Sequence, residues 1–259
     1  MNKARQFRDR LSEGRPLLGM QNFTGSPAML EILGHAGFDW VSIDMEHCPT
    51  DFALVENLVR AADCVNLTSV VRVTENKPIL ISKALDAGAA GVFVPHVSSV
   101  AELEQAVESS LYGPRGHRGA CSTTRPAAYG GHPWKDYVAE ANSSVFVIPL
   151  IEDQAGLDAF DDMLKVKEVP AYWLGVTDMT VSLGIPGADF YNPKLADMAR
   201  DLNRRAKAAG KALMVTVTPT LNVEYARHLV TLGFQLVSYG VDLRVFLIAA
   251  RDIATGFRK

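Results

Sequence analysis

Several marks of secreted, membrane-bound and nucleic-acid-binding proteins are scarce in this sequence. Its 259 residues include only three cysteines (Cys48, Cys64 and Cys121), an odd number without metal-ligand spacing. This usage predicts a reduced, cytoplasmic protein rather than a disulfide-linked one. No apolar stretch follows the charges of the first residues, as it would in a secretory signal, and no apolar run approaches the roughly 18 residues needed to span a bilayer.

An excess of charge of one sign is also missing. The formal net charge is −3, whereas a nucleic-acid-binding domain usually carries a basic surface. Low-complexity segments, charge blocks and linkers are not found either. We therefore expect one domain over residues 1–259 that binds neither nucleic acid nor membrane. Hydrophobic residues make up 48% of the chain, enough for one large core.

Short apolar runs alternate with amphipathic helical stretches along the whole chain. The runs are apolar almost throughout, which is typical of parallel strands buried on both faces. Eight such units in a chain of this length predict a single (β/α)8 TIM barrel, with an open doubly wound sheet as the alternative. The predicted strands are Leu17–Gln21, Trp40–Asp44, Ser69–Val73, Gly91–Pro95, Val145–Ile151, Tyr172–Val176, Ala212–Val217 and Gln235–Tyr239.

Two segments depart from this alternation. Tyr112–Gly131 is rich in glycine and arginine and has no periodicity, and a loop of that length in a compact domain is usually functional or lies at an interface. The second segment, Leu243–Ile253, is strongly apolar on one face. It would either cover its own barrel or pack on a neighbouring subunit.

Polar and charged side chains follow the apolar strands at their carboxyl ends. A (β/α)8 barrel builds its active site at that end, so these residues are the candidates for a functional site. They are Asn22, Glu46, His47, Arg72, His96, Glu152, Asp178, Thr218 and Asp242.

Glu152 and Asp178 follow neighbouring strands and should face each other. A carboxylate beside so apolar a strand is costly unless a cation compensates it. Two carboxylates, with room for water and substrate oxygens, suit Mg²⁺ or Mn²⁺. The alternative is that each acid caps the helix that follows it.

A cation and an imidazole lie at the same predicted rim. Arg72 stands among β-branched residues and needs an anionic partner, which is either a protein carboxylate or a ligand. His47 could act as a base near neutral pH, although a lone histidine is more often structural. Cys48 beside it is interpreted as a small neighbour rather than a thiolate ligand or nucleophile.

The predicted strands carry no lysine in their interior. A barrel enzyme that works through a Schiff base needs a desolvated lysine inside the barrel. Lys211 instead opens its strand at the opposite face, and Lys77 lies in a loop. This pattern favours a metal as the electron sink.

Several stretches, in order along nearly the whole chain, together resemble the HpcH/HpaI family of metal-dependent pyruvate aldolases. The stretches are Gly37–His47, Val71–Val73, Lys83–Ala89, Val94–Val97, Tyr112–Gly119, Leu150–Glu152 and Gly175–Asp178. The resemblance implies a TIM barrel of the phosphoenolpyruvate/pyruvate type. It also implies cleavage of a 4-hydroxy-2-oxo acid to pyruvate and an aldehyde, with a divalent cation (Mg²⁺, Mn²⁺ or Co²⁺) as cofactor.

The resemblance also implies roles for individual residues. Glu152 and Asp178 match the metal-binding acids, and His47 matches a base that works through water. Arg72 matches the arginine that stabilises the enolate. The backbone N–H groups of Thr177 and Asp178 would bind the pyruvate carboxylate.

One implied role fits the predicted barrel poorly. Asp86 matches an aspartate that raises the basicity of the histidine, yet it falls late in a helix, toward the opposite face of its own barrel. Asp44, on the same strand as His47, is the alternative partner.

One position departs from the family pattern, and two properties of the chain stay open. Many members have glutamine two residues before the metal glutamate, where this chain has Leu150, so the inherited substrate does not follow. The family implies a homo-oligomer, a hexamer built from dimers, in which the C-terminal helix would suit exchange between subunits. The alternatives to aldol cleavage are oxaloacetate decarboxylation, a biosynthetic carbon–carbon bond formation, and binding of a 2-oxo acid without turnover.

Overall fold

Eight parallel strands close into a barrel in the order β1 to β8. The computed structural model describes residues 2–258. The closed sheet confirms the predicted (β/α)8 barrel and excludes the open doubly wound sheet. The strands are Leu17–Asn22 (β1), Trp40–Asp44 (β2), Thr68–Arg72 (β3), Gly91–Val94 (β4), Phe146–Ile151 (β5), Ala171–Leu174 (β6), Ala212–Thr216 (β7) and Leu236–Val241 (β8).

Helices precede, connect and follow these strands. They are Lys3–Ser12 (α1), Pro27–His35 (α2), Phe52–Cys64 (α3), Pro78–Asp86 (α4), Val100–Ser110 (α5), Trp134–Ser144 (α6), Gln154–Asp158 (α7), Phe160–Met163 (α8), Val176–Ser182 (α9), Pro193–Ala208 (α10), Val223–Thr231 (α11) and Asp242–Phe257 (α12), with a 3-10 helix at Arg125–Gly130. Each strand-to-helix loop lies at the carboxyl end of the barrel, which we call the rim.

Side-chain caps fix where several helices begin after the rim loops. Four Asp, Ser and Asn residues accept a hydrogen bond from a first-turn backbone N–H group, which has no acceptor within its own helix. These caps hold the loops that carry the candidate residues in defined positions. The caps are Asp51 to Leu54, Ser99 to Glu102, Asp153 to Gly156 and Asn222 to Tyr225.

The barrel interior is filled with aromatic and aliphatic side chains below the rim. The rings of Trp40 and Phe93 lie 5.8 Å apart, and those of Phe93 and Trp173 lie 5.0 Å apart. Phe7 of α1 stacks on Phe146 at 4.9 Å and closes the opposite end. Leu150 belongs to this interior cluster. The interior is therefore a packed core, and a ligand can only approach from the rim.

The segment after α5 is held by a buried arginine. Arg118 is only 5% exposed; its Nη2 atom donates to Oδ1 of Asp86 at 2.7 Å, and its guanidinium lies 4.6 Å from the centre of the Tyr112 ring. The segment predicted to be irregular contains the 3-10 helix Arg125–Gly130, and Arg118 anchors it to the end of α4.

The last helix leaves an apolar face uncovered by its own chain. Asp242 is the one buried residue of α12 within residues 2–258. Six large apolar side chains of the helix are exposed: Leu243, Phe246, Leu247, Ile248, Ile253 and Phe257. Of the two expectations for this segment, the structure excludes burial on its own barrel. Over residues 2–258, no helix has both the length and the apolar character needed to cross a bilayer.

Candidate active site

A buried ion pair joins the ends of β2 and β3. The register places Asp44 opposite Arg72. The carboxylate of Asp44 is fully buried and accepts a hydrogen bond from Nε of Arg72. Its other oxygen accepts the backbone N–H of His47 at 2.7 Å. Asp44 therefore fixes both the guanidinium and the start of the loop that carries the imidazole.

Glu46 connects three of the rim residues. One of its carboxylate oxygens lies 3.1 Å from Nη1 of Arg72 and 3.6 Å from Nε2 of His47. The other lies 3.4 Å from Nε2 of His96. The Glu46 side chain is only 12% exposed. The sequence placed Glu46 at the rim but assigned it no role, because its partners depend on the register between strands.

Of the two kinds of partner between which the sequence could not decide, the structure shows the protein carboxylate for Arg72. Two protein carboxylates bind it, so the structural ion pair is present. Its guanidinium also lies 5.3 Å from the centre of the Trp173 ring. A guanidinium has five N–H donors, and two carboxylate contacts do not use all of them. Arg72 is held rigidly at the rim with donors left for an anionic ligand.

Glu152 packs tightly against the neighbouring strand end. Ile151 pairs with Leu174, which places Glu152 beside Gly175. A β-carbon built at position 175 would lie 2.8 Å from Cβ and 2.9 Å from Oε2 of Glu152. Only glycine leaves room for this carboxylate, which is 7% exposed. Its Oε1 atom accepts the backbone N–H of His96 at 2.7 Å.

Thr177 and Asp178 lie in the first turn of α9, directly after the strand that contacts Glu152. Both are exposed at the rim. First-turn backbone N–H groups have no acceptor within the helix, so those of Thr177 and Asp178 are available to an anion. The structure thus brings Glu152, Arg72, His47 and the first turn of α9 to one side of the rim.

The electrostatics of Glu152 fit a divalent cation. Burial raises the pKa of Glu152 above its usual range, and the charges of Glu46 and Asp178 raise it further, against the opposing effect of His96. A cation beside this cluster of acids would relieve the cost. Within residues 2–258, no group of three or more His, Cys, Asp or Glu side chains is arranged to hold a metal ion. Two carboxylates with water and substrate oxygens require fewer protein ligands than that.

The His47 side chain is 57% exposed and faces Glu46 rather than Asp44. The alternative partner named from the sequence, Asp44, contacts only the backbone N–H of His47. Burial, with the nearby Asp44, raises the pKa of Cys48 to about 12. This shift disfavours the thiolate and agrees with Cys48 as a small neighbour.

Asp86 is not brought to the rest of the site within this chain. It is the last residue of α4, and a helix of the barrel runs away from the rim. Its carboxylate is paired with Arg118 at 2.7 Å. Inside one chain, Asp86 therefore cannot contact His47.

On the opposite side of the rim, Asp242 accepts several hydrogen bonds that join the ends of two strands. Asp242 is 1% exposed and accepts hydrogen bonds from Nδ2 of Asn22 at 2.7 Å and from Oγ1 of Thr24 at 2.7 Å. It also accepts the backbone N–H of Phe23 at 2.9 Å. Asn22 and Asp242, two of the rim candidates from the sequence, thus join β1 to β8.

The lysines lie where the sequence predicted. Lys77 lies in the loop directly before α4. Nζ of Lys211 donates to the carbonyl oxygens of Val166, Lys167 and Val169. Burial lowers the pKa of Lys211, but the residue precedes β7 and so lies at the end of the barrel opposite the rim. It cannot form a Schiff base at the candidate site.

Gly175→Ala is expected to reduce the activity of the site far more than the stability of the protein. The new methyl group would displace the Glu152 carboxylate, and misplacing a catalytic group by about 1 Å costs about 10²-fold in rate. Gly119→Ala is the matched control, because nothing lies within 4 Å of its added β-carbon. Steady-state kinetics and thermal unfolding of both variants measure the difference. Equal activity of the two variants would contradict the packing argument.

The fold and the charged rim are those of a TIM-barrel enzyme, and the comparisons with known proteins agree. The model of the HpcH/HpaI aldolase/citrate lyase family matches residues 20–249. The chain therefore belongs to this family, as its motifs predicted, and it is an enzyme of the class II aldolase type, a carbon–carbon lyase. The family is metal-dependent.

Individual relatives and solved structures are similar over nearly the whole chain. The hydroxypyruvate/pyruvate aldolase of Paraburkholderia phytofirmans is 34% identical over 95% of each chain. A crystal structure of a family member from Burkholderia cenocepacia has a TM-score of 0.90 at 30% identity, covering 98% of this chain and 100% of that one. The citrate synthase SbnG has a TM-score of 0.83 at 28% identity, covering 97% of both chains. Similar barrels therefore carry out more than one reaction.

Proposed function

We propose that this protein is a cytoplasmic, metal-dependent aldolase that cleaves a 4-hydroxy-2-oxo acid to pyruvate, or a pyruvate analogue, and an aldehyde, and that catalyses the reverse addition. One observation carries the proposal. A buried carboxylate with a raised pKa, Glu152, lies on the same side of the rim as the immobilised Arg72 and the exposed His47. The similarity to a hydroxypyruvate/pyruvate aldolase supports the substrate class.

Glu152 and Asp178 are the residues that would hold the cation. Their oxygen atoms suit Mg²⁺, Mn²⁺ or Co²⁺. When bound, the divalent cation supplies the Lewis acidity that polarises the 2-oxo group of the substrate. The backbone N–H groups of Thr177 and Asp178 would orient the substrate carboxylate at the start of α9.

Residues of this chain then remove the proton from the substrate and stabilise the negative charge that develops on it. In cleavage, His47 removes the proton from the C4 hydroxyl group, directly or through water. The C3–C4 bond breaks, the aldehyde leaves, and the electron pair is delocalised onto the oxygen at C2. The guanidinium of Arg72, which Asp44 and Glu46 hold in place, stabilises that negative charge. Protonation of C3 yields pyruvate, and the addition of an aldehyde is the reverse.

A panel of aldehydes with pyruvate or hydroxypyruvate tests the proposal. Each pair is incubated with Mn²⁺, Mg²⁺ or Co²⁺, and the product masses are measured. In a parallel experiment without aldehyde, NMR in D₂O follows exchange of the pyruvate methyl protons. We expect metal-stimulated exchange and an aldol product with some of the aldehydes. Pyruvate binding in calorimetry, without metal-stimulated exchange, would instead indicate a binding protein without turnover.

The second candidate function is decarboxylation of oxaloacetate or its use in forming a carbon–carbon bond. The similarity to the citrate synthase SbnG favours this candidate. Consumption of oxaloacetate without an aldehyde would support decarboxylation. Consumption only with a second carbonyl substrate would support synthesis.

We propose that the protein is a homo-oligomer, because α12 exposes an apolar face. We further propose that the oligomer is a hexamer built from dimers that exchange this helix. An apolar face of this size is usually covered by a partner. Asp86 keeps its predicted role only if the oligomer brings it to the His47 of another subunit.

Phe246→Glu is expected to shift the protein to smaller particles in light scattering after size-exclusion chromatography. The side chain is 68% exposed within its own chain, so the substitution leaves the single chain intact and places a charge in the interface. Arg251→Glu on the same helix is the control and should keep the particle mass. If Phe246→Glu also keeps that mass, the proposed use of α12 is wrong.

A further inference from the structure

His96 has a left-handed backbone conformation that is uncommon for residues other than glycine. It follows β4, and its φ angle is +55°, in the left-handed region that costs free energy for residues other than glycine. The side chain is 71% exposed, so core packing does not hold it there. Such conformations persist where surrounding contacts demand them, and they are concentrated at functional sites.

The contacts of His96 are with two rim carboxylates. Its backbone N–H donates to Oε1 of Glu152 at 2.7 Å, and Nδ1 of its ring lies 2.9 Å from the same oxygen. At the far side of the ring, Nε2 lies 3.4 Å from Oε1 of Glu46. In this left-handed conformation, the N–H group and the ring of His96 contact the same oxygen.

Both of these contacts engage the same oxygen of Glu152 and leave the other one free of them. Oε2 faces the α-carbon of Gly175, at the strand end that leads to Asp178. Within residues 2–258, it has no hydrogen-bond donor or ion-pair partner. The ring of His96 also separates the carboxylate of Glu152 from that of Glu46, which holds Arg72.

We propose that His96 is a positioning residue for the metal site: it binds Oε1 of Glu152 so that Oε2 is the oxygen presented to the cation, and through Glu46 it sets the position of Arg72 relative to that cation. The inference rests on the proposed metal-binding role of Glu152. Hydrogen-bonded partners of ligating carboxylates orient them, and removing such a partner typically lowers metal affinity about 10- to 100-fold.

Binding of Mn²⁺ without substrate tests this role separately from turnover. Electron paramagnetic resonance titrations compare the wild-type protein with His96→Gly, His96→Asn and Glu152→Gln. Glycine keeps the backbone conformation and the N–H group but removes the ring, whereas asparagine tolerates the conformation and restores a side-chain donor. Asn66→Gly is the matched control, because Asn66 also has a φ of +55° but lies between α3 and β3, away from the rim.

We expect His96→Gly to weaken Mn²⁺ binding at least about 10-fold, and His96→Asn to weaken it less. The midpoint of thermal unfolding should not fall, because glycine is unstrained at this φ. Asn66→Gly should bind Mn²⁺ like the wild type. Unchanged Mn²⁺ affinity in His96→Gly would overturn the inference.

Two further results would overturn it in different ways. A nitrogen hyperfine coupling on Mn²⁺ that is present in the wild type and lost in His96→Gly would make His96 a direct ligand instead. If Glu152→Gln binds Mn²⁺ as tightly as the wild type, the proposed metal site is refuted, and the role of His96 is refuted with it. Weak binding by Glu152→Gln with wild-type binding by His96→Gly refutes the role of His96 alone.

Discussion

Glu152→Gln is expected to lower metal-dependent turnover at least about 10³-fold while leaving the fold intact. A Lewis acid supplies several kcal/mol of transition-state stabilisation, and about 4 kcal/mol corresponds to about 10³-fold in rate. Glutamine keeps the shape of the side chain against Gly175 but removes the charge. Rates with saturating pyruvate and aldehyde, in excess Mn²⁺ and in EDTA, measure the loss.

The thermal stability of metal-free Glu152→Gln should not fall with its turnover. Burial raises the pKa of Glu152, so in the metal-free protein its ionised form opposes folding above the ordinary glutamate pKa. A neutral glutamine removes that cost, and the metal-free variant should unfold at the same temperature as the wild type or higher. Mn²⁺ at 100 times its Kd should stabilise the wild type by about 2.7 kcal/mol and the variant by much less.

Glu224→Gln serves as the control for the loss of a carboxylate. Glu224 is exposed in the first turn of α11, and its replacement should alter neither the rate nor the effect of Mn²⁺. Turnover that Glu152→Gln retains in full, or wild-type activity that survives in EDTA, would show that the cation does not act through this carboxylate.

Arg72→Met is expected to destabilise the protein by about 3–5 kcal/mol, the usual cost of removing one partner from a buried ion pair. The substitution would leave the fully buried carboxylate of Asp44 without its counter-charge. The double variant Asp44→Asn/Arg72→Met should recover much of that loss, because the fully buried charge of Asp44 is then also removed, and Glu46 keeps its contacts with His47 and His96. Urea unfolding of the single and double variants measures the coupling, and a double variant as unstable as Arg72→Met would contradict the pairing.

Arg72→Lys separates the charge of this residue from its geometry. A lysine keeps the positive charge but cannot bind two carboxylates and an enolate with one planar group. We expect the rate to fall about 10²- to 10³-fold, the range for losing one stabilising donor in an acyl-transfer site. Arg200→Lys, at an exposed ion pair with Asp197, should leave both rate and stability unchanged. A nearly wild-type rate for Arg72→Lys would refute enolate stabilisation by this side chain.

The barrel was predictable because its strands and its helix ends obey local rules. Apolar runs such as Trp40–Asp44 coincide with a strand, and the position after each run predicted the residues of the rim. Arg72 and Glu152 were found in this way, since charge next to an apolar strand has a large energetic cost.

The partners of these residues were not predictable from the sequence alone. The pairing of Asp44 with Arg72 depends on the register of β2 on β3, which no local pattern specifies. The role of Glu46 depends on contacts with Arg72 of β3 and with His96 after β4, as well as with its neighbour His47. The backbone conformation of His96 was not predicted either, because a left-handed residue is uncommon even for histidine, which adopts this conformation more often than most residues.

Metal binding and the substrate roles stay predictions. Asp86 shows why the position of a residue in a motif does not by itself predict its contacts. The residue matches the family motif, yet α4 carries it away from the rim to Arg118. A sequence motif specifies which residue types occur in order, whereas contact between distant residues depends on where each helix ends, and on which subunit they belong to.

The rim has two sides that should tolerate amino-acid substitution differently. One side is held by the hydrogen bonds of Asp242, and the other carries the candidate site. Asp242 adds side-chain hydrogen bonds to the backbone pairing of β1 with β8, while the residues of the candidate site follow β2 to β6. The stretch 217–222, between β7 and α11, touches neither the charged cluster nor its ion pairs within residues 2–258. Laboratory evolution toward new aldehydes would therefore do best to randomise this stretch and hold Asp242 constant.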